Sequence, residues 1–157
     1  MNALLIVFRT AVGAVVVGVS GLLALWAGPD FEVAIAPVLV EQSADHVDRI
    51  EDGARVCWTW RLGKVRRATI VDANWTIRGG GRIYPFQRVE RVADSDEDGA
   101  GLVVRPVKRG QWSRKCIDVP PALRGRPFRI TGFAEYRTAL TGALWTLRQP
   151  VAEVFVP

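Results

Sequence analysis

Arg55-Val56-Cys57-Trp58-Thr59-Trp60-Arg61-Leu62 is the stretch on which the fold class turns. Successive side chains of a strand point to opposite faces. Val56, Trp58, Trp60 and Leu62 therefore share one face, and Arg55, Cys57, Thr59 and Arg61 share the other. A face with two Trp belongs in a core and a face with two Arg belongs in water, the pattern of an antiparallel sheet covered on one side.

The same period of two recurs outward from this strand. Ala68 to Ile77 sets Val71, Ala73, Trp75 and Ile77 on one face. Arg78-Gly79-Gly80-Gly81-Arg82 turns the chain, because Gly accepts positive φ, and Ile83 to Val92 returns as a partner. Leu102 to Val107, Gln111 to Val119, Phe128 to Arg137, Leu144 to Leu147 and Val151 to Val156 are further strands. On the N-terminal side, Phe31 to Val40 reads as an edge or bulged strand because Pro37 lacks an amide proton. Gln42 to Gly53 reads as a polar turn. Strands spaced at about ten residues point to an all-β, antiparallel β-sandwich of immunoglobulin or fibronectin III-like layout, with a small barrel as the alternative. The immunoglobulin signature itself is not met, since Cys57 lies on the Arg-bearing face. In layout, though in no motif, the chain is similar to the anchored β-sandwich proteins of bacteria and their phages.

One N-terminal helix precedes these strands. Residues 10–27, TAVGAVVVGVSGLLALWA, run 18 residues without a charge, and Leu4 to Phe8 extend the apolar character beyond Arg9. A bilayer core takes about 20 apolar residues in a helix, so residues 4–27 are expected to contact membrane lipid. Arg9 is placed to reach the headgroups at one end, and Trp26 sits at the other, where interfacial aromatics accumulate. Gly28-Pro29-Asp30 should break the helix. The division is thus an anchor at 1–28 and a domain at 29–157. The flank beyond Trp26 has no base until Arg49, which predicts a cytoplasmic N-terminus and an extracytoplasmic, periplasmic domain. A cleaved signal is the competing reading, but a cut after Ala27 would have Leu25 at −3, a poor small-x-small site. Ala14 and Gly18 stand four apart, a pair that would let two helices approach in a homo-oligomer.

The formal net charge is +5, which favours anionic partners. The charge comes in blocks. Asp30 to Gly53 holds seven acids and one Arg, Ala54 to Ala93 nine bases and two acids, and Gly99 onward ten bases and three acids. Alternating blocks are expected to pair within the fold. The densest basic run, Arg61, Lys64, Arg66 and Arg67, is the candidate contact for an anionic partner. Headgroups or an acidic protein suit it better than nucleic acid, which an exported domain does not meet.

No catalytic constellation emerges. The only His, His46, lies in a polar loop with no nucleophile linked to it. Asp94, Asp96 and Asp98 with Gly99 match the opening of a calcium loop, but its twelfth position, which should be a bidentate Glu, is Arg105. Two Cys and a distant His cannot build a zinc site. No metal or cofactor is expected. Cys57 and Cys116 are expected to form one disulfide near the surface of an exported domain. The leading expectation is a non-catalytic, membrane-anchored module with a protein partner in the envelope. The alternatives are a released subunit of an envelope or phage-encoded assembly, a cytoplasmic-side binder of nucleic acid or anionic lipid, and an enzyme whose site is scattered through the sequence.

Overall fold

A computed structural model describes residues 2–85, 89–95 and 105–157. Helix α1 (Asn2–Ile35) is followed by β1 (Leu39–Ile50), β2 (Arg55–Lys64), β3 (Ala68–Gly79), β4 (Arg82–Tyr84), β5 (Val89–Asp94), β6 (Lys108–Asp118), β7 (Phe128–Thr138), β8 (Leu147–Pro150) and β9 (Val154–Val156). One antiparallel sheet has the order β1-β2-β6-β5. The other has β4-β3-β7-β8, with β9 also pairing to β7. The chain is a β-sandwich behind an N-terminal helix. The strand expected at Leu102 to Val107 and residues 96–99 of the acidic loop lie largely outside the described residues, as do residues 86–88 of the run Ile83 to Val92.

The decisive strand packs as its period dictates. Val56, Trp58, Trp60 and Leu62 are buried against the opposite sheet. There Trp75 meets the Trp58 ring at 5.4 Å and the Trp60 ring at 6.2 Å, tilted and edge-on respectively. Such aromatic geometry adds about 1 kcal/mol per pair beyond area burial. Ile77, Ile117, Ile130, Leu147, Val154 and Val156 complete the core.

The run Ile83 to Val92 is not one return strand, since only its start, in β4, pairs with β3 while β5 pairs with β6 in the other sheet. Four further expectations need correction. First, α1 does not stop at Gly28-Pro29-Asp30 but runs through Pro29 to Ile35. Pro29 lacks the proton that would bond the Leu25 carbonyl. The following turn is nevertheless held, because Ala36 N–H donates to Glu32 O at 2.8 Å and Val33 packs against the core. Phe31 to Ile35 is therefore helix, and Pro37 sits in the link before β1 rather than inside a strand. Second, Gln42 to Ile50 is strand, not turn. The register of β1 on β2 slips between Val40 and Ser43 and between Asp45 and Asp48. Glu41 (φ 52°) and His46 (φ 48°) occupy the left-handed region at these slips. Each bulge inserts a residue and destroys the period of two, while twisting this edge strand away from further pairing.

Third, Val71 is 49% exposed. The β3–β7 register shifts between Ile70 and Asp72, so the face changes there and Ala68 and Ile70 turn inward in its place. Fourth, the disulfide is buried. Cys57 and Cys116 are bonded, directly opposite one another with Cα atoms 4.1 Å apart, and each is only 3% exposed. They lie on the outer face, as the alternation requires, but on the two central strands of their sheet. Ion pairs from Arg55 to Glu90 and from Arg114 to Asp48 cross that face beside them.

Candidate functional site at the helix–sandwich junction

The last turns of α1 are bonded to the sandwich. Glu32, 9% exposed, accepts from Arg66 Nη2 at 2.7 Å, Thr141 Oγ1 at 2.6 Å and Trp145 Nε1 at 2.9 Å. Arg66 also donates to the Ala36 carbonyl. Buried Gln149 on β8 accepts from the amides of Val38 and Leu39 and donates to the Leu39 carbonyl, so the link after the helix is bonded as a strand would be. A side chain at Gly28 would meet the Trp145 ring at 2.9 Å, which places the β7–β8 loop directly against the helix. That loop exposes Leu140 (83%) and Leu144 (64%). Between it and the helix runs an open apolar groove of about 530 Å³, lined by Ala24, Ala27, Phe31, Ile35 and Leu140.

Beside this groove the two sheets part in a cleft of about 750 Å³ lined by Lys64, Arg67, Arg105 and Arg137. Consecutive residues line the two, Arg66 and Thr141 the groove and Arg67 and Gly142 the cleft. Lys64 is buried and donates to the carbonyls of Ala68 at 2.8 Å and Arg105 at 2.7 Å. Its pKa is lowered by burial first and then by the Arg105 charge. Arg105 is ion-paired with Asp94, which also takes Arg91 at 3.1 Å. Arg67 and Arg137 are exposed and make no ion pair among the described residues.

Deeper in, a cavity of about 40 Å³ separates this cleft from the tryptophans. Lys115 on β6 enters it, 6% exposed, with its Nζ 4.1 Å from the Trp60 ring centre and 4.6 Å from that of Trp75. Burial, then the charges of Arg105 and Arg91, lower its pKa to about 7 against the opposing pull of Asp94. Tyr136, on the same cavity, is pushed up to about 12 by burial. Arg91, Arg105 and Lys115 thus gather around Asp94, with Lys64 beside Arg105.

The basic run read from the sequence is split by this geometry. Arg61 is exposed on the outer face and bonded to Asp45 at 2.7 Å. Lys64, Arg66 and Arg67 are brought together at the helix end, but Arg66 is occupied by Glu32. The acidic and basic blocks do pair, Arg114 with Asp48 and Arg109 with Glu41 joining Arg61, while Arg129 pairs with Glu153 inside its own block. Arg105 at calcium position twelve bonds Asp94 at position one, so the two ends of the supposed loop neutralise each other. Among the described residues, no group of three His, Cys, Asp or Glu could hold a metal ion. His46 is exposed beside Asp45, 3.9 Å away. Arg9 and Trp26 are exposed on α1, Trp26 at 81%. Sequence reading missed Glu32, Gln149, Arg105 and Lys115. For Lys115 the signal was present, because Gln111, Ser113 and Lys115 share the parity of core residue Ile117. For Glu32 there was none, since its partners lie more than 30 residues away.

No family model matches the chain, and no curated protein sequence matches it. Among solved structures it is similar to the ApaA protein of Bordetella pertussis, at 13% identity and a TM-score of 0.45, over 75% of this chain and 91% of that one. It is similar also to the GAE domain of yeast GGA1, at 11% identity and a TM-score of 0.39, over 76% of this chain and 97% of that one. At these scores neither likeness carries an assignment of activity.

Proposed function

We propose that this chain is a single-pass membrane protein with a cytoplasmic N-terminus and an extracytoplasmic, periplasmic sandwich that works by surface recognition as an interaction or structural module. Val7–Ile35 is long and apolar enough to cross a membrane, and its most apolar window is wholly exposed. An exposed apolar face of that size belongs against lipid or a partner. The observation that carries the reading is the bonding of the helix end to the sandwich through Glu32, Arg66, Trp145 and Gln149. A helix that served only for export would have no use for it. The buried disulfide agrees with an oxidising compartment. The test is a pair of reporters fused after Pro157, one active only outside the cytoplasm and one only inside, with carbonate extraction of the same membranes. Activity of the outside reporter on a carbonate-resistant chain is expected. Activity of the inside reporter reverses the orientation, and a mature protein lacking about the first 27 residues makes it a released subunit.

A further inference from the structure

We propose that the basic cleft and the apolar groove beside it together seat one anionic phospholipid, headgroup in the cleft and acyl chain along α1. This rests on the membrane-anchored reading above and adds a ligand to it. Three observations carry it. The groove is formed by helix residues at the end of the apolar segment, Ala24, Ala27 and Phe31, so it opens onto the surface that the bilayer covers. Its far wall, the β7–β8 loop, presents Leu140 and Leu144 to the outside at the same level, because Trp145 touches Gly28. The cleft that adjoins it holds four cations, of which Arg67 and Arg137 have no ionic partner among the described residues while Arg105 already has Asp94. Lys64 spends two protons on carbonyls and holds its charge at a cost from burial, a cost that an anion in the cleft would offset. A ligand that satisfies both halves is apolar at one end and anionic at the other. A free phosphate fills only the cleft, and a neutral lipid only the groove.

The experiment uses the full chain reconstituted in vesicles of equal parts phosphatidylcholine and phosphatidylglycerol, purified in mild detergent, with retained lipid measured by native mass spectrometry. The wild type is expected to retain phosphatidylglycerol over phosphatidylcholine by about thirtyfold, the effect of two arginines at about 1 kcal/mol each facing a headgroup of net negative charge in place of a zwitterionic one. The double variant Arg67→Glu, Arg137→Glu should bring the ratio to the bulk composition. Arg124→Glu with Arg126→Glu makes the same charge change at the opposite end of the sandwich and should leave the ratio unaltered. Equal retention of both lipids by the wild type overturns the proposal. So does an equal loss in the distal variant, which would make the effect bulk charge, and so does displacement of the lipid by glycerol phosphate, which would make the site a phosphate site. A carbonate-resistant chain with no lipid preference refutes this site and leaves the anchored reading standing, whereas a carbonate-soluble chain removes both.

Discussion

Replacing Lys115 with Met should make the protein more stable at neutral pH and remove most of the dependence of its stability on pH. Lys115 Nζ is buried over two Trp rings, and no carboxylate lies within ion-pair distance of it among the described residues. Its folded pKa of about 7 lies below the unfolded value of 10.5. Between these values the unfolded chain holds a proton that the folded chain has released, so stability rises with pH across that window. Below it both states are protonated, and the whole penalty stands, about 5 kcal/mol. From about pH 7 to about pH 9 some 2 kcal/mol of it is relieved, which raises Tm by about 7 °C for a domain of this size. The Trp rings act the other way, offsetting about 1 to 2 kcal/mol of the charged form's cost. Lys64, shifted in the same direction, steepens the slope in both proteins, and the comparison cancels it. Tyr136 is raised, so its contribution is lost as pH climbs from 10 toward 12, and the scan stops below that range. The assay is thermal melting of the full chain in nonionic detergent, followed by near-ultraviolet circular dichroism. The wild-type Tm should rise by several degrees more than that of Lys115→Met over the window. Met is one heavy atom shorter, carries no charge and fits the space. Parallel slopes in the two proteins would refute the reasoning and mean that the amine is solvated.

Two further outcomes follow from the same contacts. Replacing Cys57 and Cys116 together by Ser should cost about 4 kcal/mol, the loop-closure value for their separation of 59 residues, read as a lower urea midpoint with a steeper slope, because the unfolded chain without the cross-link exposes more surface. Glu32→Ala strands the part-buried Arg66 guanidinium together with the Trp145 N–H and should cost about 3 kcal/mol at the junction, read as faster hydrogen exchange at the Val38 and Leu39 amides with the core of β2 still protected.

The strands that could be read from the sequence were those that keep a period of two over most of their length, β3 from Asp72 onward. Arg55 to Leu62, Ala68 to Ile77 and Phe128 to Arg137 agree with β2, β3 and β7 to within two residues. In each, a central or doubly paired strand buries large side chains on one face, and burial of that kind writes itself into the sequence. β1 could not be read because its apolar residues Val40, Ala44, Val47 and Ile50 are spaced by three and four, the result of two bulges. The extension of α1 through Pro29 was hidden for a different reason. A proline removes one local hydrogen bond, and the bonds that compensate come from Arg66, Thr141 and Trp145. The candidate site was half legible. Lys64, Arg66 and Arg67 cluster in sequence as well as in space, while Arg105 and Arg137 join them only through the pairing of distant strands.

The junction decides how the sandwich meets its surroundings. A Gly- or Ser-rich tether would let the domain sample every orientation above the bilayer. Here the chain between helix and first strand is three residues, and Gln149 bonds the backbone at its end. If breaking the Glu32 contacts costs about 3 kcal/mol, the undocked state is populated to less than about one per cent. Gly28 to Ile35 then acts as a stiff post of about 12 Å at 1.5 Å per residue. The β7–β8 loop packs against the foot of that post; on the anchored reading proposed above, with Ala27 at the edge of the hydrocarbon, Leu140 and Leu144 would reach the interface and the cations of the cleft would stand at headgroup height. The outer face of β1-β2-β6-β5, with its crossed Arg and acidic side chains, stays turned in one fixed direction. Under the proposed function, a partner approaching that face would meet it already oriented and would lose less rotational freedom on binding than it would against a swinging domain. Glu32→Ala should therefore weaken any such contact without altering a single residue of the face that makes it.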